Sequence, residues 1–408
     1  MEIFTLLVNF IEVAAYIYLG VAAVYFLLFA FLGVLPYRRM VHPSPLLRKI
    51  AVLIPGYKED FVIIEVAEAS LKQSYPSECF DVIIVADSFK PETILELKKF
   101  PVRVVQVVFE KSTKSKSLNA AMSEIGDDYH IALVLDADNI MAPDFLEKIN
   151  QAFESGFTAV QGHRMAKNMN NSMAVLDSIS EEINNHIFRK GHRVAGLASG
   201  LIGSGMAFEY AMFKKRMSEI QAIGGFDKEL ELTMLRDRVK IEYLEDAVVL
   251  DEKVQDKAVF ENQRRRWLAA QFIYFKRFAW DGVVQFVTRL NFDFLDKVYQ
   301  MVMPPRILLL GAVTILTVIM GIASLIFHTW IKEYLALSFF YWLVIWILTV
   351  LAFIFAVDRK FYTKQTFMAI LTLPLGFWLM FKLLFRLRGA NKAFIHTQHG
   401  VSGGTAKK

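Results

Sequence analysis

Residues Val13 to Leu35 read "VAAYIYLGVAAVYFLLFAFLGVL", without one charged side chain. A helix needs about 20 apolar residues to cross a bilayer core, so this run is predicted to span a membrane. It is not a typical signal peptide: no positive n-region precedes it and the apolar run is too long. Arg38, Arg39, Arg48 and Lys49 follow at once. The positive-inside bias puts that flank in the cytoplasm and the N-terminus outside. Composition agrees with a chain split between membrane and water. The 408 residues are 55% hydrophobic and 21% charged, with a mean hydropathy of +0.37. That is too apolar for an ordinary soluble enzyme and too charged for a chain that is membrane throughout. The net charge of +5 is mild. It suits a surface near anionic lipid, and no basic run is interleaved with aromatics as nucleic-acid binding would require. Cys79 is the single cysteine, so no internal disulfide forms.

From about Ile50 to Gly162 short β-branched runs ("IAVLIP", "DVIIVAD", "VRVVQVVF", "IALVLDAD", "TAVQG") alternate with amphipathic stretches near Glu59–Gln73, Pro91–Lys99, Ser115–Glu124 and Pro143–Ser155. Strands alternating with helices predict an α/β domain with a mostly parallel, doubly wound sheet. Its ligands should bind at the carboxyl ends of the strands. Ala166 to Lys253 is more mixed, with a helix expected over Ser172–Arg189. Arg264 to Met303 is rich in aromatic and basic residues and reads as amphipathic helices at the interface. Two more spans are expected at Ile307–Phe327 and Leu335–Val357, joined by "HTWIKEY". The last apolar segment, "FMAILTLPLGFWLMF", carries Pro374 and Gly376. Alternation would send the tail outside, whereas Lys382, Arg386, Arg388 and Lys392 argue for inside; a re-entrant or interfacial segment resolves the conflict. The expected division is a spanning helix over 1–36, a cytoplasmic domain over 48–262, interfacial helices over 263–303, a membrane region over 304–388 and a polar tail over 389–408.

The polar residues just after each strand carry the chemistry. "VLIPGYKED" closes the first strand at Pro55 and Gly56 and leaves Tyr57 and Glu59 at the sheet edge, where a tyrosine could stack on a flat base. "VIIVADSF" ends in Asp87, which reads as a turn former or as an acceptor for a nucleobase or ribose. "EKSTKSKSLNAAM" sets Lys111, Lys114 and Lys116 ahead of a helix start, a phosphate site or a solvated basic loop, without the glycines of a P-loop. "ALVLDADNI" is the sharpest signal. Asp136 and Asp138 end an apolar strand, and alternate strand residues share a face. Two carboxylates side by side call for a cation, and oxygen ligands suit Mg²⁺ or Mn²⁺ with substrate phosphates. "LIGSGMAF" brings Gly203, Ser204 and Gly205 together, for close approach to a ligand or for a tight bend. "ENQRRRWLAAQF" places Gln263, Arg266 and Trp267 at the boundary with the membrane; arginine clamps pyrophosphate and tryptophan favours interfaces. The eight histidines show no zinc-type spacing; "FIHTQH" in the tail reads as a metal ligand pair or as ordinary tail polarity, and the spans carry no ion pathway of a channel.

In order along the chain, "VLIPGYKED", "VIIVADS", "TKSKSLN", "LDADN", "GSGMAF" and "QRRRW" resemble the membrane-bound family 2 glycosyltransferases, among them hyaluronan, cellulose and poly-N-acetylglucosamine synthases and ceramide glucosyltransferase. The resemblance runs from about Ile50 to Trp267. It implies a Rossmann-like GT-A fold and a nucleotide-sugar donor, a UDP-sugar above all. Pro55, Tyr57, Glu59 and Asp87 would then hold uridine, with Lys114 near the donor. Asp136 and Asp138 would hold the sugar diphosphate and its Mg²⁺ or Mn²⁺. Gly203, Ser204 and Gly205 would line the sugar and acceptor pocket, and Gln263, Arg266 and Trp267 would approach pyrophosphate and acceptor. The chain departs from the family in having Ala86-Asp87 where two acids are common, and Thr113 where glycine is usual. The family's acidic pair before a helix matches "KELEL" in "GGFDKELEL", which puts Glu229 at the base position, Lys228 in the companion slot and Asp227 as runner-up. Glu245-Asp246 falls in a later strand, too near Gln263.

The expectation is an inverting, metal-dependent glycosyltransferase of the cell (inner) membrane, multi-pass, with its catalytic domain cytoplasmic. It would pass a hexose or N-acetylhexosamine from a UDP-sugar to a membrane lipid or growing polysaccharide, and bind no nucleic acid. The alternative is a non-catalytic membrane protein that keeps the fold and binds nucleotides.

Overall fold

The computed structural model describes residues 2–37, 46–220, 224–254, 257–326 and 334–387. The flank at 38–45, most of "HTWIKEY" and the tail with "FIHTQH" lie outside the described residues. The N-terminal apolar run is helix α1, Glu2–Val34. It starts at Glu2 rather than Val13 because residues 3–11 are themselves almost wholly apolar. The carboxylate of Glu12 accepts the Ala336 and Leu337 N–H groups at 2.9 and 3.3 Å, which anchors that end of the helix to a later span.

The domain that follows runs β1 (Ile50–Tyr57), α2 (Ile63–Ser70), β2 (Phe80–Asp87), α3 (Pro91–Leu97), β3 (Arg103–Val107), α4 (Lys114–Ile125), β4 (Ile131–Val134), β5 (Ile140–Met141), α5 (Phe145–Glu154), β6 (Ala159–Ala166) and α6 (Ser172–Asn184). A π-helical stretch, Asn185–Gly191, continues α6 into α7 (His192–Val194). Then come β7 (Met206–Glu209), α8 (Tyr210–Glu219), α9 (Phe226–Arg236) and β8 (Glu242–Asp251). The eight strands form one sheet in the order β3-β2-β1-β4-β7-β6-β8-β5. The pairings β1–β2, β1–β4, β2–β3 and β6–β8 are parallel; β4–β7, β6–β7 and β5–β8 are antiparallel. The sheet is therefore mixed, parallel at one end and carrying β7 as an antiparallel insert.

Continuous apolar strands are what a sheet covered on both faces demands. Residues Ile50–Ile54 and Val82–Val85 are all buried. One face packs Leu53, Val85, Val134 and Phe208 against α4, α8 and α9. The other packs Ile54, Ile84, Leu133 and Val160 against α2, α3 and α5. Each such side chain contributes about 1.5–3 kcal/mol on burial. Two expectations need correction. First, β1 does not stop at Pro55: it stays paired with β2 through Tyr57. Proline is tolerated there because pairing with β4 ends at Leu53, so no ladder partner awaits its missing N–H. Second, Asp136 and Asp138 are not strand residues. Pairing of β4 with β7 ends at Val134–Met206, and the Asn139 N–H donates to the Asp136 carbonyl at 3.1 Å to close a turn.

The remaining helices are α10 (Lys257–Arg289), α11 (Phe292–Val302), α12 (Arg306–Ile326), α13 (Phe339–Ala356), α14 (Lys364–Ile370) and α15 (Leu373–Leu384). Helices α1, α12 and α13 are each long and apolar enough to cross a membrane. Helices α14 and α15 meet at a 43° bend, as a broken span or a re-entrant loop would. The bend falls at the start of α15, where Pro374 stands in the first turn and cannot continue an existing helix. The expected span from Leu335 begins only at Phe339. Helix α1 packs on the π-helical stretch with no room to spare. A Cβ on Gly33 would stand 2.5 Å from the His186 ring, and one on Gly191 would fall on the Phe29 carbonyl.

Candidate functional site

The carboxyl ends of β1 and β2 are held together by their own backbone. Lys58 and Ser88, the residues just past Tyr57 and Asp87, both have positive φ (56° and 59°). That uncommon conformation turns each chain sharply off the sheet. The Lys58 N–H donates to the Asp87 carbonyl (3.1 Å), and the Ser88 N–H to the Val107 carbonyl (3.3 Å). Asp87 is fully buried. Its Oδ1 accepts the Ser88 hydroxyl at 2.9 Å, while its Oδ2 is buried with no partner among the described residues. A buried lone pair of this kind costs about 1–3 kcal/mol unless a ligand donor meets it. Asp60, which the sequence did not single out, joins the two loops by accepting the Lys90 N–H (2.9 Å) and the Thr93 hydroxyl (2.6 Å).

Next along the edge lies the Asp136–Asp138 turn. Lys114 leads α4, whose first turn is capped by Thr113, and its ammonium donates both to Asp136 Oδ1 and to the Gly203 carbonyl (2.7 Å). Ser204 accepts the Asp136 N–H at 2.9 Å and donates to Asn139 Oδ1 at 2.5 Å. Asn139 in turn donates to Asp138 (3.2 Å) and to Asp251 at the end of β8 (3.0 Å). Asp251 ends β8 as Asp87 ends β2, and "VVLDE" repeats the pattern of "LVLDAD" that could have revealed it. Arg164 (3.6 Å) and Lys253 (2.8 Å) hold Asp251. Burial alone would raise its pKa, but these two cations more than offset that and lower it. Arg164 is itself bound to Glu181 at 2.8 Å, which makes a fully buried ionic cluster behind the turn.

Among the described residues no three or more His, Cys, Asp or Glu side chains form a metal-binding group. Asp136 and Asp138 nonetheless open onto one cavity. That donor set suits Mg²⁺ or Mn²⁺, which binds through one or two carboxylates with phosphate oxygens completing the shell.

Helix α9 opens at Gly225, whose φ of 71° gives the left-handed start that "GGFDKELEL" requires. Asp227 and Glu229 both lie in its first turn but do not share a face. Asp227 lines the cavity, its carboxyl carbon 3.7 Å from where a Gly203 Cβ would stand. Glu229 is turned away, bound to Arg277 at 2.5 Å and approached by the Tyr274 hydroxyl at 3.5 Å. It is not among the cavity-lining residues. Lys228 lines the cavity, and burial lowers its pKa despite Asp227 beside it. Glu231 pairs with Lys297 of α11 at 2.6 Å; burial still raises its pKa.

Helix α10 brings Gln263, Arg266 and Trp267 to the same cavity, with Arg264. It is one helix of 33 residues, followed by α11, in the stretch Arg264–Met303 where amphipathic helices were expected. Arg264 pairs with Asp177 and lies 4.5 Å over the Trp267 ring. Burial lowers the pKa of Arg266. The cavity, about 1290 Å³, thus collects Pro55, Tyr57, Glu59, Asp87, Lys114, Asp136, Asp138, Gly203 and Asp227 with Gln263, Arg266 and Trp267. Ser204 and Gly205 lie behind its wall: Ser204 braces the Asp136 turn, and Gly205 packs under Val249 and Gln161.

No curated protein matches the chain in sequence. Among solved structures, the chain is similar to a mannosyltransferase of Pyrobaculum calidifontis, determined with GDP-Man and Mn²⁺. The identity is 14%, the match covers 82% of this chain and 98% of the other, and the TM-score is 0.50. It is also similar to glucosyl-3-phosphoglycerate synthase from Mycobacterium tuberculosis, at 15% identity, 57% and 82% coverage and a TM-score of 0.41. At such identity the first likeness concerns the fold, a GT-A arrangement. The profile described as "Glycosyltransferase like family 2" matches residues 48–270, more than half the chain. This chain therefore belongs to glycosyltransferase-like family 2.

Proposed function

We propose that this family 2 glycosyltransferase is an inverting, metal-dependent enzyme at the cell membrane. It takes a hexose or N-acetylhexosamine from a UDP-sugar and passes it to a membrane lipid or growing glycan. The observation that carries this reading is the single cavity in which strand-end carboxylates, Lys114, Arg266 and Asp227 meet. Asp87, with its partnerless Oδ2, and Glu59 suit the N–H and O–H groups of a nucleoside, with Tyr57 beside them and Pro55 behind. Mg²⁺ or Mn²⁺ held by Asp136 and Asp138 would neutralise charge on the diphosphate. Lys114 and Arg266 stand ready to hold the same phosphates. Gly203, Gln263 and Trp267 face the acceptor side.

Asp227 is the general base in this proposal, because its carboxylate reaches the cavity and that of Glu229 is tied to Arg277. It takes the proton of an acceptor hydroxyl as that oxygen bonds the anomeric carbon. The bond to the diphosphate oxygen breaks, and the leaving nucleotide keeps the electron pair. Attack from the opposite face turns an α-linked donor into a β-glycoside. Residues 48–262 would form the catalytic domain on the cytoplasmic face, 263–303 its interfacial helices, and 1–36 and 304–388 its membrane parts.

The test is the full chain in detergent with Mn²⁺ and a panel of UDP- and GDP-sugars. Hydrolysis or transfer is expected with at least one, falling about 10²–10³-fold in Asp138→Asn. Nucleotide binding without turnover of any donor would favour the alternative, a non-catalytic nucleotide-binding protein.

A further inference from the structure

The cavity is larger than the roughly 300–1,000 Å³ of an ordinary small-ligand site, and its far end has a different character. Beyond Trp267 the lining becomes Leu310 of α12, Phe353 and Ile354 of α13, Ile370 of α14, and Leu379 and Met380 of α15. These residues stand on helices apolar enough to cross a membrane or on the bent pair beside them. The same cavity wall carries several cations. Most are neutralised: Arg164 by Glu181 and Asp251, Arg264 by Asp177, Lys297 by Glu231.

Two are not. Lys228 makes no side-chain hydrogen bond or ion pair among the described residues. Among the described residues Arg306, at the start of α12, donates only to Ser180 (3.0 Å to the carbonyl and to the hydroxyl), and its Nη1 is buried without a partner. The two stand among largely different charges: Arg306 among Arg264, Glu181 and Arg189, Lys228 among Asp227, Lys297 and Glu231. Arg306 is the one that begins a helix of the apolar arm.

A cation left unpaired in a partly dry wall is costly unless a ligand supplies the counter-charge. We infer that the acceptor is an anionic amphiphile: a lipid whose tail lies in the α12–α15 arm, whose phosphate meets Arg306 at the start of that arm, and which presents a head-group hydroxyl to Asp227. This rests on the glycosyltransferase reading and narrows its acceptor from lipid or glycan to a phosphate-bearing lipid.

Native mass spectrometry of the full chain in detergent tests it, with phosphatidylglycerol, diacylglycerol and glycerol 3-phosphate as probes. Charge-assisted hydrogen bonds to phosphate predict occupancy by phosphatidylglycerol at least about tenfold above diacylglycerol. Arg306→Met should bring the two lipids level, and Leu379→Trp, which fills the apolar arm, should lower both. Each variant is checked for UDP–Mn²⁺ binding, and Arg306→Gln replaces Arg306→Met if that variant loses it. Equal occupancy by the two lipids in the unaltered chain overturns the inference. So does glycerol 3-phosphate displacing phosphatidylglycerol at matched concentration, since the free head group would then be the ligand. Loss of UDP–Mn²⁺ binding in the unaltered chain would instead strike the glycosyltransferase reading, and the lipid comparison would still decide this one.

Discussion

The sheet-edge end of the cavity and its helical end are assembled differently. At the sheet edge the side chains stand on strand ends or in the turns just past them, and much of what fixes them comes from that same edge. Asp87 is held by Ser88, and the Tyr57 loop by the Asp87 backbone. At the helical end the supports stand on separate helices. Glu229 is bound by Arg277, Arg264 by Asp177, and Arg306 by Ser180. The first end forms when the sheet forms. The second exists only after α6, α9, α10 and α12 have all docked, so it should be the more sensitive to substitutions far from the chemistry.

Substitutions can break or sharpen that contrast. The largest expected effect is in Asp227→Asn, with transfer reduced about 10²–10⁴-fold and UDP–Mn²⁺ binding retained. Equal loss in Glu229→Gln would mean that α9 turns its other face to the acceptor. Arg164→Met leaves Glu181 and Asp251 short of a buried partner and should cost about 3–5 kcal/mol of stability in thermal unfolding. Unchanged stability would remove the Arg164 cluster from the support of the turn. Asp87→Ala should weaken UDP binding about 10–100-fold in calorimetry without changing the melting temperature much; unchanged binding would remove Asp87 from the donor site.

A pH-dependent test comes next. Burial would raise the pKa of Glu182, but His163 (3.0 Å) and Lys360 (2.8 Å) outweigh it and bring the pKa down to about 2. A depressed carboxyl pKa stabilises in full above the unfolded value of about 4.5, and the contribution is lost as pH falls through about 2. With Lys360 partly exposed, the effect is on the order of 1–2 kcal/mol. The stability gap between the unaltered chain and Glu182→Gln should therefore shrink from pH 7 to pH 3; a widening gap contradicts the pairing. Smallest of all, Glu229→Gln should change stability by no more than about 1 kcal/mol, because Arg277 is more than half exposed.

The same contrast explains what could be read from the chain alone. β1, β2 and β4 are continuous apolar runs, and the rule that ligands gather at strand carboxyl ends placed Tyr57, Asp87 and Asp136 at one edge. Asp136 and Asp138 share the cavity, though through a turn and not through the pleat that suggested it. The choice between Asp227 and Glu229 was not legible. Two residues apart on a helix means roughly 200° of rotation, so only one can face the cavity. Which one depends on the residue at which α9 begins, and Gly225 sets that through a backbone angle that composition does not reveal. Lys297 and Arg306 carried no local motif either; their place follows from packing between helices far apart in the chain.

The contact of Gly33 and Gly191 with their neighbours has a consequence for handling and for biogenesis. Helix α1 leaves the ribosome well before the surface it grips, from His186 to Gly191, which is made some 150 residues later. A chain shortened to begin at the first strand would bare that surface, the Phe29–His192 stack and the Tyr25–Asp296 hydrogen bond together. The N-terminal helix is thus less a tether than a missing wall of the catalytic domain, and the excised domain is expected to aggregate rather than dissolve.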